Sequence, residues 1–192
     1  MNLVETESDT LDVLLHGGKG GMNYSLMQKI FDASVKQGHS VVNFNFPFFE
    51  RGEEQSSGPD LVEEVETLKN ILNSVKFDKY KQIRLIGKSL GGAIGAKFLS
   101  TLDVEEQSKF SIIIFGYITG DIKLNTFPGK IVIIQGEKDK YGGINVIEKD
   151  LENAVSKDIT YFEVPNADHS FRNEQKEPVY EDGAIEIFNK LK

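Results

Sequence analysis

Short apolar runs alternate with stretches of helical periodicity along most of the chain, and this alternation limits the folds open to it. Residues 112–115 and 131–134 are continuously apolar, which is typical of strands that are covered on both faces. Between such runs, apolar residues recur at intervals of three or four, as Leu61, Val65 and Leu68 do. Strands alternating with helices of this length predict βαβ units, and therefore a mostly parallel sheet with helices on both faces.

Six segments have the length and residue types of strands. They are residues 11–15, 41–46, 83–86, 111–115, 131–134 and 159–164. Helices are predicted over residues 27–35, 61–75, 147–155 and 185–191, and from about residue 90. The prediction is a three-layer α/β/α sandwich with a mostly parallel sheet of about six strands. The longest connection, residues 116–130, is too short for an inserted lid domain, and residues 1–192 are expected to form a single domain.

Composition and charge exclude several classes of function. The 192 residues include no cysteine, which excludes disulfides, thiolate catalysis and cysteine-ligated metals. A formal charge of −8 argues against nucleic acid or an anionic membrane as a partner, because both would repel such a surface. No apolar run is long enough to span a bilayer, and the N-terminus lacks the basic start and apolar run of a signal peptide. The cytoplasm is therefore the expected location.

The most informative motif follows the third predicted strand and reads Gly87-Lys88-Ser89-Leu90-Gly91. It fits the pattern G-x-S-x-G, in which a tight turn from strand to helix lifts a serine hydroxyl clear of the sheet. Such a turn strains the serine backbone, and side chains two positions before and after it would collide. Glycines at 87 and 91 remove that collision, so the motif predicts Ser89 as a nucleophile. A strand-to-helix turn that carries glycine and serine for structural reasons alone is the alternative.

Two nucleotide-binding motifs come close to matching and fail. Gly87-Lys88-Ser89 resembles the end of a Walker loop, but that motif needs a glycine at position 82, where Gln82 stands. The glycine loop at residues 17–21 does not match the dinucleotide pattern G-x-G-x-x-G. Counted from Gly18, the last glycine of the pattern would stand at position 23, which is Asn23. Nucleotide binding is therefore not predicted.

A general base can be chosen among only three histidines. His39 precedes a strand at the amino edge of the sheet, whereas ligands of open α/β sheets bind beyond the carboxyl edge. His16 precedes the serine in the chain and leads the glycine loop, which it is expected to shape. His169 follows the last predicted strand and fits the chain order nucleophile, acid, base. His169 is the predicted base, with a histidine bonded only to loop backbone as the alternative.

The acid is expected to follow the strand at residues 131–134, and Asp139 is the preferred candidate. Glu137 is its nearest rival, and Asp121 after the preceding strand is another. Asp168 is disfavoured, since neighbouring residues rarely point their side chains at each other.

The remaining parts of a site follow from its position at the carboxyl edge. The backbone N–H groups of Leu90 and of Gly18, or else Lys19, are expected to form an oxyanion hole. Aromatic residues just past strand ends are candidates for an apolar acyl pocket, although residues in such positions often belong to the core. These candidates are Phe48, Phe49, Tyr117, Tyr141 and Phe171, together with the aliphatic Ile118. Lys88 is expected to form an ion pair with a nearby carboxylate.

Five segments together resemble the dienelactone-hydrolase-like α/β hydrolases. They are His16-Gly17-Gly18, Asn45-Phe46-Pro47-Phe48-Phe49-Glu50, Gly87-Lys88-Ser89-Leu90-Gly91-Gly92, Gln135-Gly136-Glu137-Lys138-Asp139 and Ala167-Asp168-His169-Ser170-Phe171. More narrowly, the chain resembles small predicted hydrolases related to testis-expressed protein 30 and to the third subunit of the non-specific-lethal complex. The resemblance runs from about Leu11 onward and implies Ser89 as nucleophile, Asp139 as acid and His169 as base. Dienelactone hydrolase itself has cysteine where this chain has Ser89, so its substrate is not implied.

These features predict a serine hydrolase that cleaves a small-molecule ester or thioester without metal or organic cofactor. The absence of a lid favours short, soluble esters. Since the narrower group includes subunits of complexes, the alternative is a hydrolase fold that acts as a protein-interaction module with a vestigial triad.

Overall fold

The computed structural model describes residues 1–53 and 56–191. The described chain forms one sheet whose strands are β1 (Asn2–Val4), β2 (Thr10–Leu15), β3 (Ser40–Asn43), β4 (Gln82–Lys88), β5 (Phe110–Phe115), β6 (Ile131–Gly136) and β7 (Ile159–Val164). Their order across the sheet is β1-β3-β2-β4-β5-β6-β7. The β1–β3 pair is antiparallel and the other pairs are parallel. The mostly parallel sheet is thus confirmed.

Helices cover both faces of the sheet. They are α1 (Ser25–Lys36), α2 (Pro47–Glu50), α3 (Val62–Ser74), α4 (Leu90–Leu99), α5 (Val104–Gln107), α6 (Ile144–Asp150) and α7 (Glu181–Phe188), with a short 3-10 helix at Phe77–Lys79. None of the helices in the described part of the chain is long and apolar enough to cross a lipid bilayer.

Two separate apolar cores explain the three layers. Successive side chains of a strand point to opposite faces, so Val13 and Leu85 pack on one face of the sheet and Leu14 and Ile86 on the other. The first core includes residues of α3, α4 and α6, and the second includes residues of α1 and α7. The predicted α/β/α sandwich is therefore confirmed.

Several details differ from the sequence prediction, and the closing helix spans Glu181–Phe188 rather than residues 185–191. The sheet has seven strands rather than about six, because β1 is a short, largely exposed edge strand without an apolar run to mark it. The strand predicted at residues 41–46 ends at Asn43, where the chain leaves the sheet and the short helix α2 follows. The helix predicted to reach Val155 ends at Asp150, since Val155 is exposed and its amide donates to the carbonyl of Asn125.

The connection at residues 116–130 packs against the sheet and does not form a layer over its carboxyl edge. Its apolar residues Ile122, Leu124 and Phe127 are almost fully buried in the first core. A cavity at the carboxyl edge is lined by residues at the ends of β2, β4, β6 and β7 and by Ile118 of this connection.

A buried ion pair joins β2 to β4, the two strands that lead into the glycine loop and the serine turn. Asp12 and Arg84 are direct neighbours across these strands, and both are almost fully buried. The Arg84 guanidinium donates two hydrogen bonds to the Asp12 carboxylate, at 2.6 and 2.5 Å. Gln37 and His39 complete the cluster, with Gln37 accepting from Arg84 and the His39 ring lying 3.2 Å from Asp12.

Asp12→Ala is expected to lower the free energy of unfolding by about 3–5 kcal/mol, because it leaves the buried Arg84 charge without its counter-ion. Asp9→Ala is the matched control, since it removes the carboxylate of an exposed pair with Lys81 and should change stability by less than about 1 kcal/mol. Urea unfolding of the two variants measures the difference. Equal losses would show that the buried pair does not stabilise the β2–β4 contact.

Candidate active site

Ser89 lies at the turn between β4 and α4 in a backbone conformation that few residues other than glycine adopt. Its φ is 53° and its ψ is −116°. Backbone strain of this kind costs on the order of 1–3 kcal/mol and persists only where the surrounding structure enforces it. Here the Ser89 amide donates to the Phe115 carbonyl at 3.0 Å, and the Ser89 carbonyl accepts from the Gly92 amide at 2.8 Å. The strained conformation agrees with the one predicted from the motif.

The two motif glycines are required by close backbone contacts. A Cβ atom on Gly87 would lie 2.6 Å from the carbonyl carbon of Gly91, which is closer than real Cβ atoms approach. A Cβ atom on Gly91 would lie 2.6 Å from the carbonyl carbon of Leu15, at the end of β2. Helix α4 therefore begins directly against the ends of β2 and β4, as the spacing of the glycines predicted.

The structure brings Ser89, His169 and Asp139 together in one hydrogen-bonded chain. Ser89 Oγ lies 2.8 Å from His169 Nε2, and His169 Nδ1 lies 2.7 Å from Asp139 Oδ2. His169 follows β7 and Asp139 follows β6, so three separate segments meet at the carboxyl edge of the sheet. The other carboxylate oxygen of Asp139 accepts the Tyr141 amide at 2.9 Å, which fixes the orientation of the carboxylate.

This arrangement determines which nitrogen of His169 carries the proton. An ionised carboxylate can only accept, so Nδ1 donates to Asp139 and Nε2 is left to accept from the Ser89 hydroxyl. Burial lowers the pKa of His169 below its usual 6.5; the Asp139 hydrogen bond opposes this, and the positive charges of Lys88 and Lys140 add to it. The ring is therefore neutral near pH 7 and able to accept a proton.

The rival carboxylates have other positions. Glu137 accepts the backbone amide of Asn166 at 2.6 Å, and Asp121 is exposed after β5. Asp168 accepts the amides of Ser170 and Arg172, and so holds the loop that carries His169. Of the three alternatives to Asp139 that the sequence offered, none is hydrogen-bonded to His169.

The glycine loop after β2 lies beside the serine turn. A Cβ atom on Gly17 would lie 3.6 Å from Ser89 Cβ, and Gly18 lines the same cavity as Leu90. His16 holds this loop, because its Nε2 accepts the Phe46 amide at 2.9 Å and its Nδ1 donates to the Gly17 carbonyl at 2.6 Å. Leu90 is the first residue of α4, where a backbone N–H has no acceptor within the helix and is free to face an anion. The two residues predicted to supply the oxyanion donors, Gly18 and Leu90, thus line one cavity.

The cavity above Ser89 has a volume of about 620 Å³. Its apolar lining comes from Tyr24, Met27, Leu90, Ile118 and Tyr141, and the Tyr141 ring meets the His169 ring edge-on at 4.6 Å between centroids. Sequence analysis missed Tyr24 and Met27, which become neighbours of the site only because α1 begins just after the glycine loop.

Of the six residues proposed for the acyl pocket, Ile118 and Tyr141 line this cavity, whereas Phe48, Phe49, Tyr117 and Phe171 do not. Phe48, Tyr117 and Phe171 are fully buried. Phe48 packs in the first core, the Tyr117 hydroxyl is bonded to Ile122 and Asp150, and Phe171 packs on Phe115. Phe49 is partly buried and packs edge-on against the His16 ring. These residues pack in the protein interior rather than facing the cavity. An aromatic side chain near a strand end can turn into the core as readily as toward the edge of the sheet.

The cavity also has a cationic lining that the sequence analysis did not identify. Its lysine and arginine residues are Lys19, Lys88, Lys138, Lys140, Arg172 and Lys176. A signal for part of this set was present, since Lys138 and Lys140 flank Asp139 and Arg172 and Lys176 follow His169.

Lys88 does not form the predicted ion pair with any carboxylate of the described residues. Its side chain is 5% exposed, and no carboxylate of the described residues lies within ion-pairing distance of its ammonium group. Burial lowers its pKa to about 8, although Asp139 and Asp168 act in the opposite direction from farther away. Lys88 Nζ and His169 Cε1 flank Gly116, so this buried amine lies next to the histidine ring.

Several solved structures of other proteins share this fold. The chain resembles an alpha-beta serine hydrolase homologue from Coxiella burnetii with a TM-score of 0.71 and 21% identity, over 97% of this chain and 84% of that one. A lidless a/b serine hydrolase from Xanthomonas campestris gives a TM-score of 0.72 and 19% identity, over 97% and 84% of the two chains. An esterase from Pyrococcus furiosus gives 0.70 and 16%, over 98% and 82%.

The comparison with curated protein sequences finds no match. A family model described as the alpha/beta hydrolase domain matches residues 8–190, which is nearly the whole chain. This match agrees with the sheet order, the serine turn and the lidless carboxyl edge, and the chain belongs to the alpha/beta hydrolase domain family.

Proposed function

We propose that the protein is a serine hydrolase that cleaves a small ester or thioester through an acyl-enzyme intermediate. The observation that carries this proposal is the hydrogen-bonded chain from Ser89 Oγ through His169 to Asp139, with heavy-atom distances of 2.8 and 2.7 Å. Serine is a weak nucleophile at neutral pH and needs an adjacent base that a third group orients. This chain supplies the base and the orienting group.

The reaction proceeds in two acyl transfers. His169 Nε2 accepts the hydroxyl proton as Ser89 Oγ attacks the carbonyl carbon, and the resulting imidazolium gives that proton to the leaving alcohol or thiol. A water molecule then loses a proton to His169 and attacks the acyl-enzyme, which releases the acid and restores the Ser89 hydroxyl. Asp139 keeps the proton on Nδ1 and stabilises the imidazolium in both halves of the reaction.

The oxyanion of each tetrahedral intermediate is assigned to the backbone N–H groups of Leu90 and Gly18. Leu90 lies at the N-terminus of α4, where the helix dipole favours negative charge. Preorganised donors of this kind contribute several kcal/mol, about 2.7–4 for one donor in a serine protease.

The substrate in this proposal is short and soluble. The cavity above Ser89 lies at the carboxyl edge of the sheet, and charged side chains line it beside the apolar ones. The esterase from Pyrococcus furiosus and a monoacylglycerol lipase from Paleococcus ferrophilus share the fold, and their names support ester cleavage as the reaction class. A cytoplasmic location and the resemblance to the dienelactone-hydrolase-like group remain predictions.

Ser89→Ala is expected to reduce kcat for p-nitrophenyl acetate by several orders of magnitude, because the acyl-enzyme can no longer form. The thermal midpoint should not fall, since the Ser89 hydroxyl faces the cavity and makes no capping hydrogen bond to α4. Steady-state hydrolysis and thermal unfolding of the same sample check both points. Wild-type turnover in the variant would exclude Ser89 as the nucleophile.

The identity of the acid is tested by three matched amide variants. Asp139→Asn is expected to lose at least about a hundredfold in kcat, since an amide directs a donor at His169 Nδ1; the same change in chymotrypsin-type triads costs about 10⁴. Glu137→Gln and Asp121→Asn should stay within a few-fold of wild type, because neither side chain is bonded to His169. A large loss in either control, with Asp139→Asn unimpaired, would move the acid to the other carboxylate.

A further inference from the structure

The charge of the cavity is opposite to the charge of the whole protein. The chain carries 30 acidic and 22 basic residues, for a formal charge of −8. Among residues 1–53 and 56–191, the cavity above Ser89 is lined by six lysine and arginine residues and by one acidic residue, Asp168. A concave site lined with one sign of charge concentrates the electric field and attracts ligands of the opposite sign.

Several of these cations are only partly neutralised by the protein. Lys176 and Arg172 share the one carboxylate of Asp168, at 3.1 and 3.4 Å, and Lys138 pairs with the exposed Glu174. The Nε atom of Arg172 is buried and has no hydrogen-bond acceptor in the described part of the structure. Lys140 lies 4.7 Å over the Tyr141 ring and has no carboxylate partner among the described residues. The cavity thus keeps positive charge that the described carboxylates only partly neutralise.

Lys88 shows the same feature in a buried position. A lysine that is 5% exposed and lacks a carboxylate partner is unfavourable for folding, because burial disfavours its charged form. Its place immediately before Ser89, in the lining of the cavity, offers a reason for this arrangement. An anion bound in the cavity would supply the missing negative charge.

The oxyanion of the reaction does not account for this set of charges. The oxyanion is assigned to backbone N–H groups at Leu90 and Gly18, whereas Lys138, Lys140, Arg172 and Lys176 lie on the loops that follow β6 and β7. The cationic side chains are therefore available to a second negative group, separate from the reacting carbonyl.

We infer that the substrate is an ester or thioester that carries an additional anionic group, a carboxylate or a phosphate, which the lysine and arginine residues of the cavity bind. This inference rests on the proposed function, because it assigns the substrate class of the same site. Attraction of the anion by the cavity raises kcat/KM for charged substrates above that for neutral substrates of the same size.

The test compares p-nitrophenyl esters of similar size whose acyl chains end in a neutral or an anionic group. The neutral ester is methyl p-nitrophenyl adipate, and the carboxylate ester is p-nitrophenyl hydrogen adipate. A p-nitrophenyl ester with a terminal phosphate on an acyl chain of the same length distinguishes phosphate from carboxylate. The wild-type protein is expected to show a kcat/KM at least about tenfold higher for one or both anionic esters. The ratio of kcat/KM for an anionic ester to kcat/KM for the neutral ester should decrease as the salt concentration rises from about 50 to about 500 mM, because salt screens the attraction.

Three variants connect the ratio to particular charges. Lys140→Gln removes an exposed cation of the cavity, and Lys88→Met removes the buried one; each is expected to lower the ratio several-fold. Lys88→Met should also raise the thermal midpoint at pH 7, since it removes a buried charge without a partner. Lys157→Gln is the matched control: Lys157 is exposed before β7, at the opposite edge of the sheet, and its loss should leave the ratio unchanged.

The possible failures are distinguishable. If the neutral ester is hydrolysed in a Ser89-dependent way but neither anionic ester is preferred, the inference is wrong and the proposed function stands. A preference that survives both Lys140→Gln and Lys88→Met also overturns it, because the anion then binds elsewhere. If no ester is hydrolysed and Ser89 does not react with a fluorophosphonate, the proposed function fails and the inference fails with it.

Discussion

The tight contact between helix α4 and the ends of β2 and β4 is the constraint on which the site depends. Gly87 and Gly91 allow backbone to approach backbone more closely than a Cβ atom would permit. Because the helix begins so near the sheet, Ser89 is forced to a φ of 53° and its hydroxyl projects into the cavity. The same contact places the N-terminus of α4 beside the glycine loop that His16 holds, so the proposed nucleophile and the proposed oxyanion donors are set by one packing arrangement.

Stability and the proposed function favour different residues at the carboxyl edge of the sheet. Deeper in the sheet, the buried charge of Arg84 is neutralised by Asp12. At the edge, Ser89 is strained and Lys88 is buried without a carboxylate partner among the described residues. Features that are unfavourable for folding and cluster around one cavity are characteristic of functional sites. Strand β4 thus carries one buried cation with a carboxylate partner, Arg84, and one without such a partner among the described residues, Lys88. This difference supports the assignment of the cavity as the active site.

Much of the fold was predictable because continuous apolar runs identify parallel strands, as at β5 and β6. The edge strand β1 was missed because three largely exposed residues carry no periodicity, and its pairing with β3 depends on tertiary contact. The motif, the chain order and the strand ends predicted a grouping of Ser89, His169 and Asp139, and these three residues are hydrogen-bonded to one another. Four of the six proposed pocket residues were misplaced, since sequence does not reveal whether a side chain such as Phe48 or Tyr117 turns toward the core or the edge. The cationic lining could not be predicted from the sequence, because its residues come from four separate segments that meet only in the folded structure.

The most direct test of the central claim is the reaction of the purified protein with a fluorophosphonate, followed by intact mass and peptide mapping. The account predicts one label per chain, located on Ser89, because His169 activates that hydroxyl and the strained turn exposes it. Ser89→Ala should remain folded and unlabelled. A well-folded wild-type protein that stays unlabelled, or that is labelled at another residue, would contradict the account and would support a fold retained as a protein-interaction module.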